Sequence, residues 1–172
     1  LAAAEAPAAA ARSGKEGVTT VDLTRRDVAH PSNVIKASFD IGKGTKVGLL
    51  APNGPAWVVT WLAATRIGAV VPLLNTYSKA TELSRTIRHA HLHTLLSVGS
   101  HLGHDYLDRI EHAAPGIVDH DNEAIMLPSH PYLRSAWTWD ASPRRWCGDL
   151  RTVEARGEAV AEELLVEVER EV

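Results

Sequence analysis

The sequence has very little cysteine, no long apolar run and no surplus of basic charge. Cys147 is its single cysteine, which excludes an internal disulfide and a cysteine-based zinc site and is typical of a reducing cytoplasm. The absence of any run of about 18 apolar residues excludes a membrane-spanning helix. A net charge of −3 over 172 residues provides no basic footprint for nucleic acid. We therefore expect a cytoplasmic protein that neither binds nucleic acid nor crosses a membrane.

The N-terminal stretch lacks the cationic start of a secretory signal. It consists of "LAAAEAPAAAARSGKEG" and contains Glu5 and Pro7, which argue against such a signal. We expect residues 1–17 to be a disordered, alanine-rich leader and residues 18–172 to form one folded unit. Because the first residue is Leu and not Met, we also expect either a fragment or a product of an unusual start codon.

The glycines of "GKGTKVG" do not form a known phosphate-binding motif. A phosphate loop needs Gly-x-x-x-x-Gly-Lys-Ser/Thr, whereas here Lys43 is followed by Gly44. The dinucleotide fingerprint Gly-x-Gly-x-x-Gly fails because Gly48 comes one residue too late. Both motifs also follow a strand and open a helix, whereas this turn precedes its strand. We therefore predict a tight turn at the entry of a strand. The Gly-x-Ser-x-Gly elbow of serine hydrolases is absent as well.

Two groups of three histidines have spacings that a metal site could use. The first group is His89, His91 and His93, and the second is His101, His104 and His112. The first group would share one face of a strand, but it straddles a predicted helix end and a predicted strand start. The second group could line one face of a helix. No carboxylate lies close in sequence to the first group to complete a ligand shell, so a polar helix end is favoured over a metal site.

The other reactive side chains also favour structural roles. Cys147 is interpreted as an apolar filler or an exposed thiol, and Arg144 and Arg145 as surface residues that could meet an anion. The tryptophans are predicted to anchor the core, and they are Trp57, Trp61, Trp137, Trp139 and Trp146. From the sequence we therefore assign no catalytic, cofactor-binding or metal-binding residue.

Residues 46–74 predict one strand–helix–strand unit. An apolar strand over residues 46–50 is followed by a helix over residues 56–67 and by a second strand over residues 69–74. Pro55 suits the first turn of this helix, and Gly68 suits its C-terminal cap. A unit of about thirty residues with this order predicts parallel pairing through a right-handed crossover.

The pattern then repeats towards the C-terminus. We predict a helix over 78–90 capped by Ser78, with Leu83 and Ile87 facing the core, a strand over 92–98 and a helix over 105–113. A loop over 118–131, a strand over 133–139, a loop over 140–149 and a helix from residue 160 complete the chain. Alternating strands and helices predict an α/β fold with a mostly parallel sheet.

Several short features of residues 44–98 occur together in one known family. They are Gly44-Thr45, Pro52-Asn53, Trp57, Gly68-Ala69, Pro72-Leu73-Leu74-Asn75 and Glu82-Leu83. With them, the chain resembles the N-terminal part of the AMP-binding, adenylate-forming enzymes, especially acyl-CoA synthetases. The resemblance is firm over residues 41–116, looser through "YLRSAWTW" and "RRW", and absent before Gly17. It implies that residues 18–172 are part of an incomplete N-terminal AMP-binding domain.

The resemblance implies ATP-dependent activation of a fatty or other carboxylic acid to an acyl-adenylate, with transfer to coenzyme A and with Mg²⁺ on the phosphates. The family's phosphate loop, Thr-Ser-Gly-x-x-Gly-x-Pro-Lys-Gly, does not occur in the 172 residues, and "RSGKEG" lacks its Thr/Ser cluster and its Pro-Lys. Pro31 also interrupts the helix that the family has before Gly42. We therefore expect a truncated, divergent copy that is inactive alone and binds no cofactor by itself.

Three functions remain open from the sequence. The first is a piece of an acyl-CoA synthetase. The second is a non-catalytic α/β module that pairs with another chain, because an incomplete sheet exposes a strand edge through which we also expect self-association. The third is an unrelated nucleotide-binding or flavodoxin-like protein. That function needs a Gly-rich turn after the first strand, where "APNGPAW" instead has two prolines that remove N–H donors.

Overall fold

The computed structural model describes residues 11–13, 19–21, 41–140, 144–152, 156–157 and 160–171. Its strands are β1 (Ala11–Ser13), β2 (Thr19–Val21), β3 (Val47–Leu50), β4 (Thr94–Ser97), β5 (Ser100–His101), β6 (His104–Asp105), β7 (Ser135–Thr138) and β8 (Gly148–Asp149). Its α-helices are α1 (Pro55–Arg66), α2 (Ala80–His89), α3 (Tyr106–Ala113) and α4 (Glu162–Glu171). Ile117–Asp119 and Leu150–Thr152 form short 3-10 helices.

The main sheet contains β3, β4, β7 and β8 in that order, and each of its pairings is parallel. The register aligns Leu50 with Ser97 and Ser97 with Thr138, so these three strands end side by side. The predicted α/β fold with a mostly parallel sheet is therefore confirmed. Two antiparallel hairpins, β1–β2 and β5–β6, are separate from this sheet.

Residues 69–74 line the outer edge of β3. The backbone bonds are Val47 N–H to Val70 O at 2.9 Å, Leu49 N–H to Pro72 O at 3.1 Å, Val70 N–H to Thr45 O at 2.9 Å and Leu74 N–H to Leu49 O at 2.9 Å. Pro72 has no N–H, so the ladder is interrupted at its centre. The strand predicted here therefore exists as two isolated parallel bridges, Lys46 with Val70 and Leu49 with Leu73.

Helix α1 begins and ends where the sequence predicts. Pro55 occupies its first turn, where a missing N–H costs nothing. Gly68 has a φ of +80° just beyond the helix. Its N–H donates to Thr65 O at 2.9 Å, and the N–H of Ala69 donates to Ala64 O at 3.1 Å. These two bonds form a Schellman cap, which needs glycine at the left-handed position.

The turn before β3 is a strand-entry turn, as predicted. Gly44 has a φ of +82°, and the N–H of Thr45 donates to Gly42 O at 3.0 Å. The N–H of Gly44 donates to Gly68 O at 2.8 Å, which joins this turn to the end of α1. These N–H groups are committed to protein carbonyls, so the turn does not present them to a phosphate.

Helices cover both faces of the main sheet, and side chains alternate between the faces along each strand. Face A is covered by α2 and α3, with Leu50, Leu95 and Ala136 of the strands packed near Leu83, Ile87, Leu107 and Ile110 of the helices. Face B is covered by α1 and α4, with Val47, Leu49, Leu96 and Trp137 of the strands near Ala63, Ala64, Ile67 and Leu165 of the helices. A Cβ at Gly48 would overlap Leu92, so glycine allows close packing on face A.

Most tryptophans anchor the core as predicted. Trp137 and Trp146 are fully buried, and Trp57 and Trp139 pack half-buried against face B. Trp61 differs, because its side chain is 37% exposed and stacks on Trp57 with ring centroids 6.0 Å apart. The side of α1 that carries Trp61 is therefore partly exposed.

Two local predictions are wrong, and one short hairpin is not predicted at all. Helix α2 is preceded by Lys79 and not capped by Ser78, because the carboxylate of Glu82 accepts the N–H of Lys79 at 3.1 Å. The predicted loop over 140–149 contains strand β8, which pairs with β7. The residues before α3 form the β5–β6 hairpin, in which Leu102 and Gly103 both have positive φ, as in a type I′ turn.

Several predictions concern residues that are not described. Strand β1 lies within the predicted leader, whereas residues 1–10 and 14–17 lie outside the described residues, so the disordered leader stays a prediction. Residues 22–40 also lie outside them, including Pro31 and the interrupted helix. Among the described residues, no helix has the length and apolar character that crossing a bilayer requires.

Candidate functional site

The parallel strands of the main sheet end at one rim, which we call the carboxyl rim. It consists of the residues after β3, β4 and β7, namely 51–54, 98–99 and 139–140. Ligands of open α/β sheets bind at such a rim, where successive connections leave in opposite directions. Here that point lies between β3 and β4. The connection after β3 runs through α1 over face B to residues 69–74 at the outer edge, whereas the connection after β4 runs through α3 over face A to β7 in the opposite direction. The fold therefore places the candidate site at this crevice.

Asp140 ties the two central strand exits together. Its Oδ2 accepts the backbone N–H of Gly99 at 2.6 Å, and its own N–H donates to Thr138 Oγ1 at 3.2 Å. A Cβ on Gly99 would lie 3.0 Å from Asp140 Oδ2, so glycine permits this approach. The buried Ser97 hydroxyl donates to Val98 O at 2.9 Å. These rim groups bond to protein atoms and hold the loops in place.

A polar cavity of about 430 Å³ lies beside the rim, between the first turns of α2 and α3. Its lining residues are Ala80, Gly103, His104, Asp105, Asp108, Arg109 and His112. Arg109 is held in place, because its Nη1 donates to Thr76 O at 2.5 Å and its Cζ lies 4.6 Å from the Tyr106 ring centroid. His112 Nδ1 lies 2.8 Å from Asp108 O. The cavity thus combines imidazoles, carboxylates and a guanidinium, and the side chains of Asp105, Arg109 and His112 already have protein partners.

Arg144 fixes one wall of this cavity. Its Nη2 lies 2.9 Å from Asp105 Oδ2 and its Nε lies 3.2 Å from Glu111 Oε1. Trp146 Nε1 donates to Glu111 Oε1 at 2.9 Å, which links the wall to the core. Burial raises the pKa of Asp105, but the N–H of Asp108 and the guanidinium of Arg144 together hold this pKa below its usual value. Asp105 is therefore ionised at neutral pH and is not suited to general acid catalysis.

The helices that follow β3, residues 69–74 and β4 all begin at the carboxyl rim. At α3, Asp105 Oδ1 accepts the N–H of Asp108 at 2.8 Å. At α2, Glu82 Oε2 accepts the N–H of Lys79 at 3.1 Å. Helix α1 begins with Pro55, which has no N–H. A phosphate bound at a helix N-terminus needs free N–H groups and no competing carboxylate. The residues at these three helix starts therefore do not fit the phosphates of ATP.

A metal ion also lacks a suitable set of ligands within the described ranges. No group of three or more His, Cys, Asp or Glu side chains lies there in an arrangement that could hold a metal ion. The carboxylates of the cavity are instead committed to the N–H of Asp108 and to arginine. These residues therefore do not fit Mg²⁺.

The structure separates the first group of histidines, as the sequence predicts. His89 is the last residue of α2. His91 has a φ of +52°, and its ring packs against the Tyr132 ring in a tilted arrangement with centroids 4.4 Å apart. His93 precedes β4, and its Nδ1 lies 3.1 Å from Thr94 Oγ1. The three imidazoles therefore do not share one geometry.

The second group does not line one helix face, an arrangement that the sequence leaves open. His101 and His104 face each other across the β5–β6 hairpin, and His112 lies on α3. Sequence spacing fails here because the hairpin changes the chain direction within four residues of His101. His104 and His112 nevertheless meet at the cavity.

The remaining candidates have structural roles. Cys147 is buried, with 3% of its surface exposed, as an apolar filler would be. Arg145 pairs with Asp121 at 2.6 Å on the surface. Their positions give no support for a nucleophile or for an anion site.

His130 is a polar core residue that the sequence analysis missed. It is 2% exposed, its Nε2 lies 3.2 Å from Ser84 Oγ, and its Nδ1 lies 3.0 Å from Ser129 Oγ. Burial lowers the pKa of its imidazole below the usual value. Ser84 is 46 residues away along the chain, so no local sequence signal could have identified this contact.

One family model and several known proteins match this chain. The family model is described as "AMP-binding enzyme" and matches residues 2–161. Its match begins well before Gly17, so the prediction that the resemblance is absent before Gly17 is wrong. Among curated proteins, the "Putative acyl-CoA synthetase YngI" of Bacillus subtilis (strain 168) is 27% identical over 95 residues, which are 55% of this chain and 17% of that protein.

Two solved structures share the fold. The anthranilate CoA ligase AuaEII in complex with anthranoyl-AMP has a TM-score of 0.60 at 18% identity, over 76% of this chain and 22% of that chain. The coronafacic acid ligase from Pectobacterium brasiliense has a TM-score of 0.56 at 16% identity, over 74% of this chain and 22% of that chain. The present chain thus spans 22% of each of these proteins.

Proposed function

Because this chain belongs to the AMP-binding enzyme family, we propose that it is part of the N-terminal domain of an ATP-dependent acyl-CoA synthetase. The reaction proposed for the whole enzyme joins a fatty or other carboxylic acid to coenzyme A. The names of the similar proteins support this, because one is a "Putative acyl-CoA synthetase" and another an anthranilate CoA ligase. The third hypothesis, an unrelated flavodoxin-like protein, is excluded by the family match.

We further propose that the 172-residue chain contributes scaffold and does not activate a carboxylate by itself. The observation that carries this proposal is the carboxyl rim. Two of its helix starts are taken by the carboxylates of Glu82 and Asp105, and the third begins with Pro55. Stabilising phosphate charge requires N–H groups and cations that point at the phosphates. The phosphate loop that the family resemblance implies does not occur in the printed sequence either.

ATP–pyrophosphate exchange tests this proposal directly. The purified chain is incubated with ATP, Mg²⁺, labelled pyrophosphate and a panel of carboxylic acids, including a long-chain fatty acid and anthranilate. We expect no exchange above the rate without protein, while a full-length acyl-CoA synthetase run in parallel exchanges label. Protein-dependent exchange with any acid would contradict the scaffold role. Equilibrium dialysis with ATP alone shows whether the chain binds the nucleotide without reacting. We expect that the chain does not retain ATP.

A second candidate is a non-catalytic module that pairs with another chain. The observation that favours it is the outer edge of the main sheet, where Val70 and Leu73 are 50% and 52% exposed. A scaffold role and a pairing role are compatible, because both leave chemistry to residues outside this chain. For either role we propose the cytoplasm, and the buried thiol of the lone Cys147 supports this location.

A further inference from the structure

Among the residues that the structure describes, no strand pairs with the outer edge of the main sheet, and this edge is uncharged. Residues 69–74 form this edge, and their inward hydrogen bonds use the backbone of Val70, Pro72 and Leu74. From Gly68 to Tyr77 the chain contains no charged residue. Natural proteins protect such edges with lysines, prolines or bulges that block a further strand. Pro72 does not provide that protection, because the position of its missing N–H faces β3 and not the outside.

The backbone groups of Val71 and Leu73 point away from β3. In a parallel ladder, alternate residues direct their N–H and C=O groups to opposite sides, and Val70, Pro72 and Leu74 use the side towards β3. In the part of the chain that the structure describes, neither Val71 nor Leu73 makes a backbone hydrogen bond. One backbone N–H and one C=O are therefore available on each side of Pro72, at Val71 and at Leu73.

We propose that this edge pairs with the same edge of a second copy of the chain, antiparallel, about a two-fold axis at Pro72. In that register Val71 lies opposite Leu73 of the partner subunit, and the reverse pair follows by symmetry. Each such pair exchanges both of its N–H···O bonds, as hydrogen-bonded antiparallel pairs do. Pro72 then lies opposite itself at a position where an antiparallel ladder requires no N–H.

A second copy is the occupant that these observations favour. The free N–H and C=O groups of Val71 match those of Leu73 in a second copy, and the reverse match follows. An edge that is complementary to itself in this way meets the condition for a two-fold interface. The absence of charge from Gly68 to Tyr77 removes the like-charge repulsion that normally keeps identical edges apart. The exposed side chains of Val70 and Leu73 add apolar contact along the junction. This proposal does not depend on the ligase assignment, because it uses only the edge.

The expected dimer is weak and concentration-dependent. A short strand pair buries much less than the roughly 1,600 Å² of a standard interface. Sedimentation velocity over a concentration series should therefore show rapid exchange between monomer and dimer. Dilution of the unmodified chain should also speed amide exchange at Val71 and Leu73, which NMR can follow residue by residue. A chain that remains monomeric at its highest soluble concentration would overturn the proposal.

Two variants test the edge itself. Val70→Lys with Leu73→Lys brings like charges together across the axis and should raise the dimer Kd about tenfold or more. Val71→Pro removes one outward donor, leaves the inward bonds intact, and should raise the Kd as well. Val118→Lys is the matched control, since Val118 has the same 50% exposure and lies away from the edge. Dimerisation that survives both edge variants, or that is lost equally in the control, would show that another surface is responsible.

Discussion

Face A and face B of the main sheet are covered by helices that are held in different ways. On face A, Leu83 and Ile87 of α2 lie with Leu107 and Ile110 of α3 in one apolar cluster. On face B, α4 contributes one fully buried side chain, Leu165, and a half-buried Val168. An ion pair between Arg66 of α1 and Glu169, and a bond from Lys43 Nζ to Glu171 O at 2.5 Å, complete its attachment.

The ion pair on face B is incompletely satisfied. The side chain of Arg66 is 8% exposed and that of Glu169 is 30% exposed. Arg66 Nη1 and Nη2 are buried and have no hydrogen-bond partner among the described residues. The free energy needed to remove these charged donors from water exceeds the stabilisation that one partially buried carboxylate provides. Apolar contacts therefore dominate the attachment of α2 and α3 to face A, whereas α4 on face B combines one fully buried leucine with a costly ion pair. We therefore expect α4 to open more easily than α2 and α3.

The largest expected effect comes from matched truncations on the two faces. Leu83 on α2 and Leu165 on α4 are each 1% exposed, so Leu→Ala removes the same buried atoms from both. We expect Leu83→Ala to lower the free energy of unfolding by about 2 to 5 kcal/mol, measured by urea denaturation. Leu165→Ala should lower it less and should speed amide exchange in α4 while β3 and β4 remain protected. Equal losses with uniform exchange would remove the distinction between the faces.

An intermediate effect is expected from breaking the ion pair of face B. Glu169→Gln leaves the guanidinium of Arg66 without its carboxylate, which we expect to cost about 1 to 3 kcal/mol. If α4 detaches in this variant, water reaches the guanidinium of Arg66, and the loss in the free energy of unfolding is then smaller. Arg66→Met combined with Glu169→Gln should recover most of it, because no buried charge remains. Thermal melts of a double-mutant cycle measure this coupling.

Glu171→Gln is the control for that cycle. It lies on the same helix and changes an exposed carboxylate, while the attachment to Lys43 uses its backbone oxygen. We expect a change within about 0.5 kcal/mol. A double variant that is no more stable than Glu169→Gln alone would show that the pair does not carry a desolvation cost.

The elements that the sequence predicts are those with enough local signal. Strand β3 and helix α1 were predicted with their caps, because Pro55 and Gly68 mark the helix ends chemically. Strands β4 and β7 and helix α3 also lie within the predicted ranges, since each has an apolar run or stripe. Two-residue elements such as β8 and the β5–β6 hairpin have no periodicity to detect. Leu102 also replaces the Asn or Asp that usually precedes glycine in such a turn.

The candidate site could not be predicted because its parts are distant along the chain. The cavity joins Ala80 of α2 to His112 of α3, and Asp140 reaches Gly99 across 41 residues. The pair of Arg66 and Glu169 spans 103 residues. Such contacts depend on strand order and register, which local spacing does not determine. The sequence does predict correctly that the glycine turn before β3 leads into a strand and opens no helix.

The smallest expected effect is a pH dependence of the free energy of unfolding that comes from face A. His130 reaches α2 on face A and is buried with a pKa below the usual 6.5. The unfolded chain therefore binds a proton at His130 more tightly than the folded chain does. The contribution of the neutral His130 to the free energy of unfolding is fully present above pH 6.5, and it is lost as the pH falls from there through the lowered pKa of the folded state. Each unit between the two pKa values contributes about 1.4 kcal/mol.

His130→Gln should flatten this part of the stability profile, measured by urea denaturation in steps of pH. His89→Gln is the control, since His89 is exposed at the end of the same helix, and it should keep the wild-type slope. Amide exchange at low pH should then rise in α2, where Ser84 contacts His130, before it rises at face A strands. If exchange rises first in α4 instead, the acid sensitivity does not come from the contact between His130 and α2.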